Sequence, residues 1–303
     1  MAPKQTMPAR TKYELWPDEL QGIGYGKGQF EKIAKANNER LYRTGSLARA
    51  KNLPAATIKQ ARKLSKRIGS STQSCASLAC PVYFRGLRIA EVRQMWLLCD
   101  QAADEVSFVT VIPKDWEIPD DQLHSVDPRE LLNRLRAVLY RCGAADAPGW
   151  IRFVIHGEHD PTTGTYQFHV HGLATEGMIK VVDALRKLPN FRSCRRAWEK
   201  GKRHVYQRVR RTRKALTDLP DPLTYIVQSF WPRRCSYSNG HGDRARQTKK
   251  RRLLEPHHTL MLLWLDRWTL EDLTLSIGLR QTKSGLKPTR QNRTDQKGKY
   301  HAF

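Results

Sequence analysis

The sequence predicts an α+β fold, an antiparallel sheet with helices on one face, extended at both ends by basic and mainly helical regions. Three observations carry this. The stretch from Phe153 to Thr175, FVIHGEHDPTTGTYQFHVHGLAT, alternates apolar and polar residues on either side of a turn-rich DPTTG and reads as an antiparallel hairpin. Around it the elements run strand, helix, strand, strand, helix, strand, an order that packs as an antiparallel sheet with segregated helices. The flanks differ in character, which divides the chain into 1–103, a basic helical region with a degenerate cysteine segment; 104–232, the sheet domain; and 233–303, a basic region with one apolar helix and a polar tail.

In chain order, the spacing predicts short helices around Phe30 to Tyr42 and Ala55 to Ile68, and GIGYGKGQ (Gly22, Gly24, Gly26, Lys27, Gly28) reads as a flexible basic loop. It lacks the Walker spacing and the following Ser or Thr of a phosphate loop. Cys75 and Cys80 have a knuckle-like spacing without a second ligand pair nearby, so they read as unliganded thiols. A helix follows from Leu87 to Ala103. VSFVTVIP (Val106 to Pro113) is a buried strand stopped by proline. Asp127, Pro128 and Glu130 supply a helix start, and Leu131, Leu132, Leu135, Val138 and Leu139 share one face. Beyond the hairpin come a helix from Glu176 to Leu188, a strand RHVYQRVR (Arg203 to Arg210), and the helix of DLPDPLTYIVQSFW. An apolar helix from Thr259 to Leu273 precedes a tail expected to be disordered without nucleic acid, and His257 and His258, beside Pro256, read as surface residues.

A net charge of +25 in 303 residues is far from that of an ordinary metabolic enzyme, and nucleic acid is the partner it implies. No apolar run is long enough to span a membrane and the start has no apolar signal core, which argues against a membrane partner. Six cysteines are few for this length, so a reducing, cytoplasmic setting is expected. The basic residues expected on the nucleic-acid path are Arg203, Arg208, Arg210, Arg233, Arg234, Lys249, Lys250 and Arg251.

A strand sends residues i and i+2 to one face, so His169 and His171 project together while Phe168 and Val170 enter the core. Paired imidazoles on a strand, joined by Glu158 or His156 from its neighbour, form an oxygen and nitrogen donor set suited to a catalytic divalent ion. Downstream, Leu223, Ile226, Val227 and Phe230 form an apolar stripe that leaves Tyr225 on the opposite, polar face beside Gln228 and Ser229.

In combination and order, FHVHGL, the upstream Glu of GEHDPTTG, the VSFVTVIP strand and the tyrosine of DPLTYIVQSFW resemble the HUH endonucleases of rolling-circle replication initiators, over about Cys75 to Pro232. CASLACPVYFRGLR is also similar to a cysteine-bearing stretch that precedes the catalytic domain in some plasmid replication proteins. The resemblance implies a ferredoxin-like palm, a divalent metal (Mg²⁺ or Mn²⁺) on His169 and His171 with Glu158 as the best-matching third ligand, and Tyr225 as nucleophile. It also implies single-stranded or origin DNA as substrate and a separate host helicase and polymerase as partners. Many single-tyrosine members carry a lysine three residues after the tyrosine, where this chain has Gln228. Ser229 occupies the place of a second tyrosine, which favours a single-nucleophile enzyme. Transposases and relaxases share this chemistry. Rivals are a histidine-triad hydrolase, disfavoured because position 173 is Leu, and a noncatalytic nucleic-acid-binding protein whose histidines are structural.

Overall fold

The computed structural model describes residues 32–70, 75–100, 102, 106–197, 203–213, 216, 221–228, 231–238, 244–246, 250–282 and 285–289. The GIGYGKGQ loop, Lys249 and the tail beyond 289 lie outside them.

Helices α1 (Ile33–Ala48), α2 (Ala55–Gly69) and α3 (Pro81–Asp100) precede the sheet. Strands β1 (Val106–Val111) and β2 (Glu117–Pro119) lead to α4 (Pro128–Leu139), which starts where Asp127 caps it by accepting from the Arg129 amide. The long strands β3 (Ile151–Asp160) and β4 (Thr165–Thr175) follow, then α5 (Glu176–Ala184). Next come β5 (Cys194–Ala197), β6 (Arg203–Tyr206), β7 (Val209–Arg211) and the short helix α6 (Asp221–Ile226). The chain continues through β8 (Ser236–Ser238), β9 (Arg244–Arg246), α7 (His257–Leu265), β10 (Thr274–Ile277), β11 (Leu279–Thr282) and β12 (Gly285–Pro288). No helix among the described residues is long and apolar enough to cross a membrane.

The main sheet is antiparallel in the order β10-β3-β4-β1-β7, with β2 paired to the turn end of β4. At its centre is the expected hairpin, closed by an Asp160 carboxylate that accepts from the Thr162 amide and by Gly164 at φ +59°. On one face Val109, Val111, Phe153, Ile155, Phe168 and Val170 form a core with α4, α5 and α7. Trp231, Trp264 and Phe168 interlock there edge to face, and Trp264 donates to the Val126 carbonyl at 3.0 Å.

The structure corrects four expectations. Helices cover both faces of the sheet: α3 and α6 pack Ile89, Val92, Met95, Leu223 and Ile226 onto Val106, Val154 and Leu173 on the side opposite α4. This follows from β3 and β4 being buried on both faces at their inner ends. RHVYQRVR is two strands, because β6 pairs with β5 in a separate ribbon and β7 pairs with β1 at the sheet edge. The apolar run 259–273 is helical only to Leu265. A turn in which the Asp272 carboxylate accepts from Thr269 N and Oγ1 breaks it before β10. Strand β10 pairs antiparallel with β3 at the edge of the main sheet. Finally, His258 is buried and His257 half-buried, His258 resting against Glu255 and Ser46. The N-terminal helices are docked likewise: Arg67 of α2 pairs with Asp266 at the end of α7, and Arg43 of α1 donates to the Ala79 carbonyl ahead of α3. Cys75 and Cys80 are buried free thiols.

Candidate active site

The register fixes which histidines can meet. His156 of β3 lies opposite His169 of β4, Glu158 opposite Gln167, and Thr110 of β1 opposite His171. Alternation places these side chains on the face away from Phe168 and Val170, which are fully buried and hold the strand in place. Two glycines make the close packing here possible. A Cβ at Gly172 would sit 1.9 Å from the Arg152 carbonyl oxygen, and one at Gly157 would sit 2.2 Å from the Trp231 ring.

The His169 and His171 Nε2 atoms face each other at 3.1 Å. Their other nitrogens are engaged: His169 Nδ1 lies 3.3 Å from the Gln167 carbonyl and His171 Nδ1 lies 2.9 Å from the Thr110 hydroxyl. The carbonyl can only accept, so His169 carries its proton on Nδ1 and presents an Nε2 lone pair. The Thr110 hydroxyl can accept from His171 in the same way. Partners of this kind on the far nitrogen are what orient metal-binding imidazoles. Burial pushes His171 well below the ordinary imidazole pKa, and the nearby His169 and His156 push it further. It is therefore neutral at pH 7, the state that ligates a cation.

His156 behaves differently. Its Nε2–H donates to the Ile226 carbonyl at the end of α6, and burial, followed by repulsion from His169, lowers its pKa to about 3. It is a neutral clamp on the tyrosine helix. Glu158 instead lines a cavity of about 430 Å³ together with His169, His171, Tyr225, Arg210 and Arg234. Arg234 Nη2 lies 3.1 Å from its Oε1.

Helix α6 anchors through Leu223, Ile226 and Val227, all buried, and leaves Tyr225 40% exposed. The Tyr225 ring stands edge-on to His171 with centroids 4.9 Å apart, and 6.1 Å from Phe108. Lys250 Nζ donates to the Tyr225 hydroxyl at 3.3 Å and to Gln228 Oε1 at 3.0 Å, and lies 4.5 Å from the ring centroid. Gln228, where the resemblance calls for lysine, thus holds a lysine that arrives from 22 residues downstream. Only the basic character of its neighbourhood marked Lys250 in the sequence.

The other basic residues are spread around this centre. Arg210 is exposed at the cavity and Arg208 sits 5.6 Å from the Tyr206 ring centroid. Arg233 and Arg251 bridge through their backbones, which lays the segment bearing Lys250 beside the segment bearing Arg234. Arg203 pairs through its backbone with Ala197 in the β5–β6 ribbon.

A second cluster, invisible in the sequence because its members are far apart in it, lies at the turn end of the hairpin. Asp120, His159 and His257 are close enough to hold a metal ion, their ligating atoms all within 4.8 Å of one another.

Compared with protein-family models, curated proteins and solved structures, the chain finds no match.

Proposed function

We propose that the protein is a single-tyrosine HUH endonuclease that nicks and rejoins single-stranded DNA through a phosphotyrosine bond and so initiates rolling-circle replication of a plasmid, phage or mobile element. The observation that carries this reading is the meeting of the two His Nε2 atoms at 3.1 Å with an anchored helical tyrosine whose hydroxyl bears a lysine ammonium. The strand order β3-β4-β1-β7, with α4 after the first strand and α5 after the third, supports a ferredoxin-like palm.

The donor set fits a divalent cation. His169 and His171 would hold it with Glu158, in preference to His156, whose Nε2 is committed to the Ile226 carbonyl. Two imidazoles with one carboxylate suit Mn²⁺, and Mg²⁺, which prefers oxygen ligands, would bind there more weakly. Such an ion supplies Lewis-acid stabilisation of charge on a nonbridging phosphate oxygen.

The chain's own groups do the rest. Tyr225 Oη attacks phosphorus, the Oη–P bond forms, and the P–O3′ bond breaks. The phenolic proton leaves to solvent and the departing 3′ oxygen takes one up, giving a free 3′ hydroxyl that can prime synthesis by a host polymerase. In the reverse direction the 3′ hydroxyl attacks and Tyr225 Oη departs, with Lys250 in place to stabilise negative charge on it. Arg210 and Arg234 line the cavity where the scissile phosphate would lie, and Tyr206 and Phe108 offer rings for bases to stack on.

The test is incubation with end-labelled single-stranded hairpin oligonucleotides and Mn²⁺. The expected product is a nicked strand with a protein–DNA adduct that survives denaturation, lost in Tyr225→Phe with DNA binding intact. An adduct persisting in that variant moves the nucleophile to Tyr206 or Tyr237. Binding without any nicking makes the protein a noncatalytic binder.

A further inference from the structure

The cluster of Asp120, His159 and His257 stands apart from the candidate active site, on the opposite face of β3. His159 is next to Glu158 in sequence, but alternation turns it to the other side, where it meets Tyr166 and α7. It is 2% exposed, yet neither ring nitrogen has a hydrogen-bond partner, and His257 Nδ1 and the Tyr166 hydroxyl are likewise buried without one. Native interiors rarely leave such groups unsatisfied unless an ion or water fills the gap.

The distances discriminate between explanations. Asp120 Oδ2 lies 3.5 Å from His159 Nε2 and 3.6 Å from His257 Nε2. A carboxylate hydrogen-bonded to an imidazolium would sit at about 2.7–2.9 Å. Two ligands of one tetrahedral ion, each bonded at about 2.0–2.1 Å, sit about 3.4 Å apart. The observed spacing matches the second case. The rings of His159 and His257 stack at 4.2 Å with 29° between planes, so both edges turn toward the same carboxylate.

We propose that Asp120, His159 and His257 form a second metal site, for a divalent transition ion of the zinc class. Two imidazoles and one carboxylate disfavour Mg²⁺ and Ca²⁺, which take oxygen ligands. Half-buried Asp120 and His257 leave a way in from solvent and room for a water as fourth ligand, and that water would also give the Tyr166 hydroxyl its missing partner.

The site ties three segments of the chain together. It joins the turn at Asp120, the end of β3 and the first residue of α7, which are separated in the chain by 39 and 98 residues. It also lies where residues 232–234 are laid down: His159 N donates to the Pro232 carbonyl at 3.0 Å and Arg234 N donates to the His159 carbonyl at 2.9 Å. From there Arg234 reaches Glu158 and, across the Arg233–Arg251 bridge, Lys250 reaches Tyr225. The ion thereby fastens the backbone that delivers both cations to the active site.

The test uses full-length protein carrying His169→Ala and His171→Ala, which removes the active-site imidazoles and makes the result independent of the nicking reaction. This protein, stripped with chelator, is expected to bind one equivalent of Co²⁺ with visible ligand-field absorption, to release it to Zn²⁺, and to gain thermal stability with Zn²⁺ but not with Mg²⁺. Adding His257→Gln should weaken the affinity at least about 100-fold, since loss of even an outer-shell partner costs 10–100-fold. Asp120→Asn, at a half-exposed position, serves as the second variant if His257→Gln unfolds. Absence of Co²⁺ binding, or binding unchanged in a folded His257→Gln or Asp120→Asn protein, overturns the proposal.

Discussion

Replacing Lys250 with alanine tests whether a lysine from outside the tyrosine helix serves the proposed nucleophile, Tyr225. Its ammonium makes one hydrogen bond to the Tyr225 hydroxyl at 3.3 Å and is held by Gln228 at 3.0 Å. A hydrogen bond to a charged group contributes about 1.5–3 kcal/mol. The 3.3 Å length and the half-buried setting place this one at the lower end, because charge-assisted bonds at full strength are shorter and solvent screens the pair. At 1.36 kcal/mol per factor of ten, about 1.5 kcal/mol corresponds to a roughly 12-fold loss of rate. The assay is single-turnover adduct formation at saturating Mn²⁺ and DNA, so that lost phosphate binding does not enter the rate. Lys250→Ala should lower the rate constant by about 10-fold, and rejoining, in which Tyr225 departs, should fall at least as much. Adding Gln228→Lys to Lys250→Ala should recover part of the loss, since position 228 already lies within reach of the ammonium. An unchanged single-turnover rate in Lys250→Ala, with weakened DNA affinity as the sole effect, would refute the reasoning and return Lys250 to the general basic surface.

Two further outcomes concern stability. In chelator-treated protein, His156, with a pKa near 3 when folded against about 6.5 unfolded, is neutral in both states above pH 6.5 and contributes no pH dependence there. Below pH 6.5 the unfolded chain takes up a proton that the folded one refuses, so stability falls by up to about 1.4 kcal/mol per pH unit from this group until pH 3. His171, depressed in the same direction, adds to the slope. Urea unfolding between pH 7 and 5 should show the decline and His156→Gln should flatten it; identical slopes would remove His156 as its source. Gly157→Ala should cost more than about 3 kcal/mol, because its Cβ would fall 2.2 Å from the fully packed Trp231 ring and the overpacking has nowhere to relax. A thermal midpoint unchanged by that substitution would place Trp231 elsewhere.

Much of the central sheet was legible because its signals are local. Period-2 alternation marks β3, β4 and the projection of His169 with His171, and the apolar stripe of Leu223, Ile226 and Val227 marks Tyr225 as the residue left over. The cap at Asp127 and the turn at DPTTG are likewise written in short stretches of chain. Less legible were elements whose identity rests on a distant partner. TLSI becomes β10 because β3 leaves an unpaired edge beside it, and RHVYQRVR divides because its two ends pair with different strands. Four residues seldom carry enough alternation to announce a strand on their own.

The sequence by itself determined the α+β class, the paired histidines, the exposed tyrosine and the basic charge, since each depends on residue type and spacing over a few positions. Only the tertiary structure decided which groups meet. It turned His156 to the Ile226 carbonyl and Glu158 to the cavity, although both lie on the same face of one strand. It brought Lys250 to Gln228 and gathered Asp120, His159 and His257 from three separate segments. Those meetings depend on strand register and chain crossings set by the packing of the whole core, and no local window of residues contains that information.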